Sequence, residues 1–349
     1  MNSKVYYLPF SSIKLYGELL KCVEWDNFVK NGDFVAIKLH FGEEGNKGFV
    51  KPEFVRPIVK LIKDRSGRPF LTDANTIYVG KRADAVSHLQ IAQAHGFSIG
   101  NCGAPVIIAD GLRGNSGIEI AINQRHFKSV SIARDIHFSD CLIAISHFKG
   151  HELAGFGGAI KNIGMGSATR KGKYSIHDSI IPQIKRDLCV GCSTCIKWCP
   201  SKAITLKNEK AVIDSSLCVG CGECILSCPE KAIKIPWDES ARNVQEKIVE
   251  YFYGAVKGKK DKLYFFNFVN FVTAICDCYR TRSQPLIPDV GIFASKDPVA
   301  IDQASVDLAN RVGGKDIFRE AWPDIDWNIQ LEYAENIGLG TRRYQLIEI

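Results

Sequence analysis

Residues 187–204 read DLCVGCSTCIKWCPSKAI, and residues 216–233 read SLCVGCGECILSCPEKAI. The two segments are one pattern written twice. Each has four cysteines spaced C-x2-C-x2-C-x3-C, and a proline follows each fourth cysteine. Thiolates grouped in this way are metal ligands more often than disulfides in a reducing compartment. The repeat therefore predicts a small unit with two equivalent metal centres.

The spacing is that of bacterial two-cluster ferredoxins, in which the fourth cysteine of each half ligates the cluster of the other half. It predicts two 4Fe–4S clusters, one held by Cys189, Cys192, Cys195 and Cys228 and the other by Cys218, Cys221, Cys224 and Cys199. Zinc is disfavoured, because its four-coordinate sites usually pair two C-x-x-C motifs across a longer loop. The alternative is that the clusters only staple a small domain. Shared ligation holds two clusters close together, which favours electron transfer over stapling.

Composition and charge exclude several classes of protein. Of the 349 residues, 46% are hydrophobic and 24% are charged, as in globular proteins. The net charge of +7 is too small to indicate nucleic-acid binding by itself. The first residues lack the basic and apolar regions of a signal peptide, and no apolar run has the length of a membrane span. With 13 cysteines and no export signal, we expect a cytoplasmic protein without membrane contact.

Outside the repeat, strand-like apolar runs alternate with helical patterns. This alternation predicts an α/β fold, a mostly parallel sheet covered by helices. Residues 186–236 are expected to form an inserted α+β ferredoxin-like domain with two clusters. Residues 1–185 and 237–349 are expected to form one discontinuous α/β domain. Three domains in series are disfavoured, because the C-terminal part alone is short of strands.

The individual elements follow from hydrophobic period and from capping residues. The predicted strands are Lys4–Leu8, Asp33–Phe41, Pro69–Thr72, Val106–Ala109, Phe127–Ala133, Cys141–Ser146 and Val290–Ala294, with a further apolar run at Leu263–Ala274. The predicted helices are Ser12–Lys30, Pro52–Arg65, Lys81–His95, Glu239–Val256 and one that Asp297 caps and Pro298 opens, running through Ala309.

Histidines and a lysine follow two of the predicted strands. In open α/β sheets, ligands bind outside the carboxyl ends of the strands. His40 follows one strand and His147 another, and the second strand leads into a glycine-rich loop that contains His151 and Lys161. Dense glycine lets a backbone approach a ligand closely. These four residues are our candidate catalytic set, and the alternative is a mobile solvent loop with surface histidines.

Cys276-Asp277-Cys278 is the second candidate site. In an extended segment the two cysteines face the same side, with Cα atoms ~6.6 Å apart, at the far limit for a disulfide. The spacing favours an additional metal ion or a separate redox pair. The alternative is a pair of half-buried cysteines without a chemical role.

Several of these segments resemble the domain-of-unknown-function-362 family, in the subgroup that carries an embedded ferredoxin. The resembling segments are VAIKLHFGE (35–43), SHFKGH (146–151), GGAIKNIGMG (157–166), CDC (276–278) and PDVGIFASKDPVAIDQA (288–304). The resemblance implies an α/β domain with iron–sulfur clusters and leaves the reaction open.

Our first hypothesis is a cytoplasmic iron–sulfur oxidoreductase that passes electrons through two 4Fe–4S clusters to a substrate or metal site in the α/β domain. The expected partners are a redox protein (a ferredoxin, a flavodoxin or an oxidoreductase) and a small-molecule substrate. The alternative is a ferredoxin-like partner protein that delivers electrons or metal and has no catalysis of its own. Nucleic acid is not expected, because the lysines of the repeat lack interleaved aromatic residues.

Overall fold

The computed structural model describes residues 2–23, 25–78, 80–177, 181–218, 220, 222–234, 240–279 and 284–349. Cys221, one of the predicted cluster ligands, lies outside the described residues. So does the predicted domain boundary near residue 236.

The strands are β1 Ser3–Pro9, β2 Phe34–Lys38, β3 Arg68–Asp73, β4 Val106–Ile108, β5 Gly117–Ala121, β6 Ser129–Ala133, β7 Cys141–His147, β8 Lys149–His151, β9 Gly155–Gly157, β10 Gln183–Ile184, β11 Ile204–Lys207, β12 Lys210–Ile213, β13 Ile233–Lys234, β14 Leu263–Val269, β15 Gly291–Ser295 and β16 Tyr344–Glu348. The helices are α1 Tyr16–Lys21, α2 Trp25–Phe28, α3 Pro52–Lys63, α4 Ala85–Ala94, α5 Ile99–Cys102, α6 Arg134–His137, α7 Ala159–Gly164, α8 Arg170–Ile176, α9 Thr194–Lys197, α10 Glu223–Ser227, α11 Ala241–Val256, α12 Pro298–Gly313, α13 Ile317–Ala321 and α14 Asn328–Asn336.

An eight-stranded sheet organises the described part of the chain, in the order β16-β1-β15-β14-β7-β2-β3-β4. Neighbouring strands pair in parallel except at β15, which runs antiparallel to β1 and β14. The predicted α/β class with a mostly parallel sheet is confirmed. Strands β14, β15 and β16 follow the cysteine-rich repeat in sequence, yet they share this sheet with strands that precede it.

Both faces of the sheet are buried, because successive side chains of an apolar strand point to opposite faces. In β7, Cys141, Ile143 and Ile145 belong to the core on one face, and Leu142 and Ala144 belong to the core on the other. Helices α1 and α3 contribute to the first core, and α7, α11 and α12 contribute to the second. The sheet is therefore a buried middle layer whose polar groups gather at the ends of its strands.

The predicted helix Ser12–Lys30 is wrong in extent. A 3-10 helix at Phe10–Leu15 precedes α1, and α2 is a separate turn. The Trp25 indole N–H donates to the carbonyl oxygen of Leu20 at 2.7 Å, which occupies an acceptor that a continuous helix would use. The buried rings of Trp25 and Phe28 thus fix a bend where the periodicity suggested one helix.

Two predicted strand regions also differ. The segment Phe127–Ala133 contains β6, but β6 pairs antiparallel with β5 in a separate two-stranded sheet, and its Val130 and Ile132 belong to the same core as α11. The apolar run Leu263–Ala274 forms strand only as far as Val269. Phe271 has a φ of 47°, and its N–H donates to the Asp289 carboxylate at 2.7 Å, so the chain leaves the sheet there.

None of the described helices has the length and the apolar composition that crossing a membrane requires.

Candidate functional site

The cysteine-rich repeat folds into two halves with matching backbone conformation. Equivalent residues of the two halves adopt positive φ at Gly191 and Gly220, at Ser193 and Gly222, and at Lys202 and Lys231. The residues of the first two pairs turn the chain tightly beside the cysteines. At each pair, the second half has the same backbone conformation as the first half. The sequence repeat is therefore also a repeat of local structure.

The two halves exchange hydrogen bonds in a crossed way. The N–H of Lys185 donates to the carbonyl of Ala232 at 2.8 Å, and the N–H of Asp214 donates to the carbonyl of Ala203 at 2.7 Å. Each bond joins the beginning of one half to the end of the other. The crossing sets the fourth cysteine of each half against the first three of its partner.

The described cysteines of the repeat surround two hollows. One is lined by Cys189, Cys192, Cys195 and Cys228. The other is lined by Cys199, Cys218 and Cys224. This division is the crossed one that the spacing predicts for cluster ligands.

Backbone N–H groups donate to sulfurs at both hollows. Ala211 donates to Cys189 at 3.4 Å, Ala203 to Cys199 at 3.2 Å, and Ala232 to Cys228 at 3.3 Å. Such bonds stabilise charge on sulfur, and they are among the groups that tune iron–sulfur centres.

Among the described residues, no three His, Cys, Asp or Glu side chains converge closely enough to hold a single metal ion. The cysteines of a 4Fe–4S cluster bind different irons, so their sulfurs surround a volume and do not converge on a point. The additional metal ion expected at Cys276 and Cys278 stays a prediction.

A buried ion pair attaches one hollow to the α/β part of the chain. The Arg170 guanidinium lies 2.7 Å from the Glu223 carboxylate, with side chains 1% and 5% exposed. Glu223 directly precedes Cys224, so this hollow, lined by Cys199, Cys218 and Cys224, is the inner hollow. The other is the outer hollow, where Cys192 is exposed.

Cys276, Asp277 and Cys278 lie in a turn and not in the extended segment that we predicted. The N–H of Tyr279 donates to the carbonyl of Cys276 at 3.1 Å, which closes the turn. The two sulfurs lie 3.2 Å apart. Cys276 is 2% exposed and Cys278 is half-buried.

Three donors surround the two sulfurs. His40 accepts the N–H of Gly42 on Nδ1 at 3.0 Å, so its Nε2 carries the hydrogen that faces the Cys278 sulfur at 3.7 Å. Arg82 lies 3.7 Å from the same sulfur, and the Lys161 ammonium lies 3.9 Å from that of Cys276. The structure thus brings two of the predicted catalytic residues, His40 and Lys161, to the predicted cysteine pair.

The thiols of the pair differ in acidity. The hydrogen bond from Cys276, together with His40 and Arg82, holds the pKa of Cys278 well below its usual value, although burial opposes this. The same hydrogen bond, together with burial, raises the pKa of Cys276. Cys278 is therefore the thiolate and Cys276 the thiol that donates to it.

Asp277 points away from the sulfurs. Its carboxylate lies 2.9 Å from His147 Nδ1 and 3.4 Å from the Lys149 ammonium. His147 Nε2 lies 2.8 Å from the carbonyl of Asn270, so both ring nitrogens face acceptors. His147, one of the predicted catalytic residues, thus contacts the turn through Asp277, and its catalytic role stays a prediction. Lys149 is kept charged there: burial opposes the charge, but Asp277 and the two thiols outweigh it and raise the pKa.

Two further histidines are neutral near the sulfurs. Burial, then the nearby Lys161 charge, places the pKa of His151 well below its usual value and lowers that of His177 to about 4. His151 Nδ1 accepts N–H groups of Leu153 and Ala154 at 3.1 and 3.3 Å. The predicted residue His151 therefore serves mainly to shape the loop, within range of the charge of Cys278.

Residues 76–78 connect the ion pair at the inner hollow to the cysteine pair, since the Arg170 Nε–H also donates to the carbonyl of Thr76 at 3.4 Å. Ile77 packs in the same apolar cluster as Cys224 and Tyr174. The Tyr78 hydroxyl accepts from Arg82 at 2.5 Å, and Arg82 in turn donates to Cys278. The segment 76–78 thus has a hydrogen bond from Arg170 at one end and the hydrogen bonds from Arg82 to Tyr78 and Cys278 at the other.

Sequence reasoning missed Arg82 and Tyr78 as site residues. Arg82 is 2% exposed and lies 3.3 Å from the Asp73 carboxylate and 3.4 Å from that of Glu43. An arginine in a segment predicted to be a helix carries no local mark of burial. The available signal was that Glu43 and Asp73 each follow a predicted strand. Two carboxylates buried at one edge of a sheet need a cation beside them.

A family model described as Domain of unknown function (DUF362) matches residues 35–307. The comparison with curated proteins finds no match. Among solved structures, the lactate racemase apoprotein from Thermoanaerobacterium thermosaccharolyticum is 15% identical with a TM-score of 0.40, and the match covers 77% of this chain and 51% of that one. A protein from Thermotoga maritima is 12% identical with a TM-score of 0.40, covering 93% of this chain and 59% of that one. The chain thus spans less than two thirds of the length of either structure.

Proposed function

The chain belongs to the family described as Domain of unknown function (DUF362), and we propose that it is an iron–sulfur oxidoreductase. Two 4Fe–4S clusters would carry electrons, one at a time, from a redox partner protein to a substrate site around Cys276 and Cys278. The observation that carries the proposal is the crossed division of cysteines between the inner and outer hollows.

The residues around the hollows fit such clusters. Thiolates are the usual ligands of these clusters, and the described cysteines supply four to the outer hollow and three to the inner one. Backbone N–H groups point at the sulfurs of Cys189, Cys199 and Cys228, where they offset thiolate charge. Zinc would need its ligands drawn together around one ion, and the described residues offer no such convergence.

We infer different roles for the two hollows from the exposure of their residues and from their contacts with the α/β part. Cys192 at the outer hollow is exposed, and its neighbour Val190 is 63% exposed, which suits contact with a partner protein. The inner hollow is attached to the α/β part through Arg170 and Glu223, and the Arg170 Nε–H also donates to the carbonyl of Thr76 at 3.4 Å. Electrons would therefore enter at the outer hollow and leave from the inner one.

The chain's own residues would bind the substrate and hold its protons. Lys161 and Arg82 supply positive charge beside the sulfurs, and the Nε2–H of His40 faces Cys278. The pKa of His40 is lowered by burial and then by Arg82, so the ring is neutral and donates from Nε2 without releasing that proton. Such a site favours an anionic substrate or a reaction that builds negative charge on sulfur.

Anaerobic purification followed by iron and sulfide analysis tests the cluster proposal. We expect about eight irons per chain and an absorbance that bleaches on addition of a low-potential one-electron donor. His40→Leu should leave the iron content and bleaching unchanged, while re-oxidation of the reduced protein by its substrate slows. Zinc without iron would refute the proposal.

The same protein samples distinguish catalysis by this chain from the alternative, delivery of electrons to another protein. A protein that only delivers electrons would re-oxidise at the same rate in wild type and in His40→Leu when a partner protein is the acceptor. Catalysis within this chain predicts that His40→Leu slows re-oxidation by a small-molecule acceptor, whereas delivery alone predicts equal rates with that acceptor as well.

A further inference from the structure

The two sulfurs of Cys276 and Cys278 are closer than metal ligands and differ in exposure. They lie 3.2 Å apart, whereas two thiolates on one tetrahedral zinc at ~2.3 Å each are about 3.8 Å apart. Cys276 is 2% exposed, and Cys278 is half-buried. Cys278 is therefore the more exposed of the two cysteines, and the sulfur of Cys276 lies in contact with the sulfur of Cys278.

The surroundings of the pair stabilise thiolate. His40 and Arg82 face the Cys278 sulfur, and Lys161 faces that of Cys276. The nearest carboxylate in the turn, that of Asp277, is taken by His147 and Lys149 and points away. Donors therefore stabilise negative charge whether it lies on the sulfur of Cys276 or on that of Cys278.

The turn that carries the pair is held firmly. The N–H of Gly150 donates to the carbonyl of Thr273 at 2.7 Å, and a Cβ at Gly150 would lie 2.3 Å from the carbonyl oxygen of Ala274. Strand β8 is therefore in direct backbone contact with Thr273 and Ala274, which lead into the turn. The sulfurs are kept in contact by the fold and not by a flexible loop.

We propose that Cys276 and Cys278 form a redox-active dithiol that reduces disulfide substrates, with Cys278 as the attacking thiolate and Cys276 as the resolving thiol. For its supply of electrons, this inference rests on the proposed function. The exchange chemistry itself needs only the two cysteines and their neighbours.

The exchange balances without an additional reagent. The Cys278 thiolate attacks one sulfur of the substrate disulfide, a mixed disulfide forms, and the other substrate sulfur leaves as a thiolate. That thiolate takes the proton of Cys276. The Cys276 sulfur then attacks Cys278, forms the internal disulfide and releases the second substrate thiolate. Return to the starting Cys278 thiolate and Cys276 thiol consumes two electrons and one proton, the electrons being the one-electron equivalents that the two proposed clusters would supply.

The test uses the anaerobically purified protein with its bound groups. Samples are equilibrated in mixtures of reduced and oxidised dithiothreitol and trapped with iodoacetamide, and the peptide containing residues 276–278 is quantified by mass. We expect both cysteines to lose alkylation together, with the dependence of a two-electron couple. Alkylation of each cysteine independently, or of both at every ratio, would overturn the inference.

Single variants test the assigned roles. Incubated with oxidised glutathione, Cys276→Ser should accumulate a mixed disulfide at Cys278, because the resolving thiol is gone. Cys278→Ser should give none at Cys276. Cys22→Ser, a half-exposed cysteine in another part of the fold, should behave as wild type. Equal adducts at both positions, or a metal ion that copurifies at one per chain and is lost in Cys276→Ser, would overturn the inference.

Iron content and visible absorbance of the same samples report separately on the proposed function. A two-electron thiol transition in protein that never binds iron would uphold the dithiol and refute the cluster-based supply. Clusters that bleach normally while Cys276 and Cys278 stay alkylated would refute the dithiol alone.

Discussion

At the scale of single residues, the site depends on which donors face which sulfur. Cys278 is the more acidic thiol, because Cys276, His40 and Arg82 all direct hydrogens at it. Sequence spacing located the cysteine pair and His40. It could not locate Arg82, whose approach to Cys278 depends on a contact across 196 positions of the chain.

Replacing His40 should make Cys278 less reactive. His40→Leu removes the Nε2–H donor, so the pKa of Cys278 rises and less thiolate is present at neutral pH. We expect the pH at which alkylation of Cys278 by iodoacetamide reaches half its maximal rate to rise by about one unit. Peptide mass analysis of anaerobic protein measures the rate at each pH, and Cys22 in the same chain is the internal control. An unchanged midpoint pH at Cys278 would show that His40 does not stabilise its thiolate.

Asp302 should make stability depend on pH. Its carboxylate accepts from the N–H groups of Ala159 and Ile160 and from Asn267, yet burial raises its pKa from 3.8 to about 6. A raised pKa contributes stability that is fully present below pH 3.8 and is lost as pH rises through about 6.

Asp302→Asn lacks this titration. We expect the free energy of unfolding of wild type, relative to the variant, to fall by about 2 kcal/mol between pH 4 and pH 6. Urea unfolding followed by tryptophan fluorescence measures the difference. A constant difference across that range would contradict the assignment.

At the scale of elements, hydrophobic period and capping predicted most of the sheet. The helix that Asp297 caps is confirmed, with its carboxylate accepting from Val299 and Ala300 at 2.9 Å. Errors arose where a long-range contact ends an element, as when Asp289 binds the N–H of Phe271 beyond β14. The turn at Cys276 was not predicted, for a related reason. The alternation of residues along a strand carries no signal of the hydrogen bond from the Tyr279 N–H that closes the turn.

Helix α7, which carries Lys161 to the sulfurs, packs closely on α11 at Gly164. A Cβ there would lie 2.2 Å from the carbonyl oxygen of Ile248, so the two backbones must separate to admit a methyl group. Gly164→Ala should lower the free energy of unfolding by about 1–3 kcal/mol. Gly17→Ala is the matched control in α1, where nothing lies within 4 Å, and it should change stability by less than about 1 kcal/mol. Equal effects in urea unfolding would mean that the helix contact adapts freely.

At the scale of the whole molecule, the cysteine-rich unit is joined to the sheet by Arg170 and Glu223. The sequence predicted the unit and its pairing of halves, but not which hollow faces the α/β part, because that contact spans 53 positions. Arg170→Ala removes the buried partner of Glu223, which then keeps the more exposed Arg113 at 3.2 Å as a partner. The change also removes donors to the carbonyls of Thr76 and Ala83, and together these losses should cost about 3 kcal/mol. Lys171→Ala breaks only an exposed pair with Glu119, half-exposed on both sides, and should cost less than about 1 kcal/mol. If Lys171→Ala lowered the free energy of unfolding more than Arg170→Ala, Arg170 would not be the residue that joins the cysteine-rich unit to the sheet.

The crossed division of cysteines makes a prediction that a linear reading of the repeat does not. Replacing Cys189, Cys192, Cys195 and Cys228 by alanine empties the outer hollow and leaves every ligand of the inner quartet in the sequence. Replacing the first three together with Cys199 removes the same number of cysteines but spoils both quartets. We expect the first variant to retain about four irons per chain and the second to retain almost none. The two variants differ only at positions 199 and 228, so any general effect of losing four thiols is shared between them. Iron retained in the second variant and lost from the first would mean that each half binds its own cluster, and the path from an exposed outer site through an inner one would then lack its physical basis.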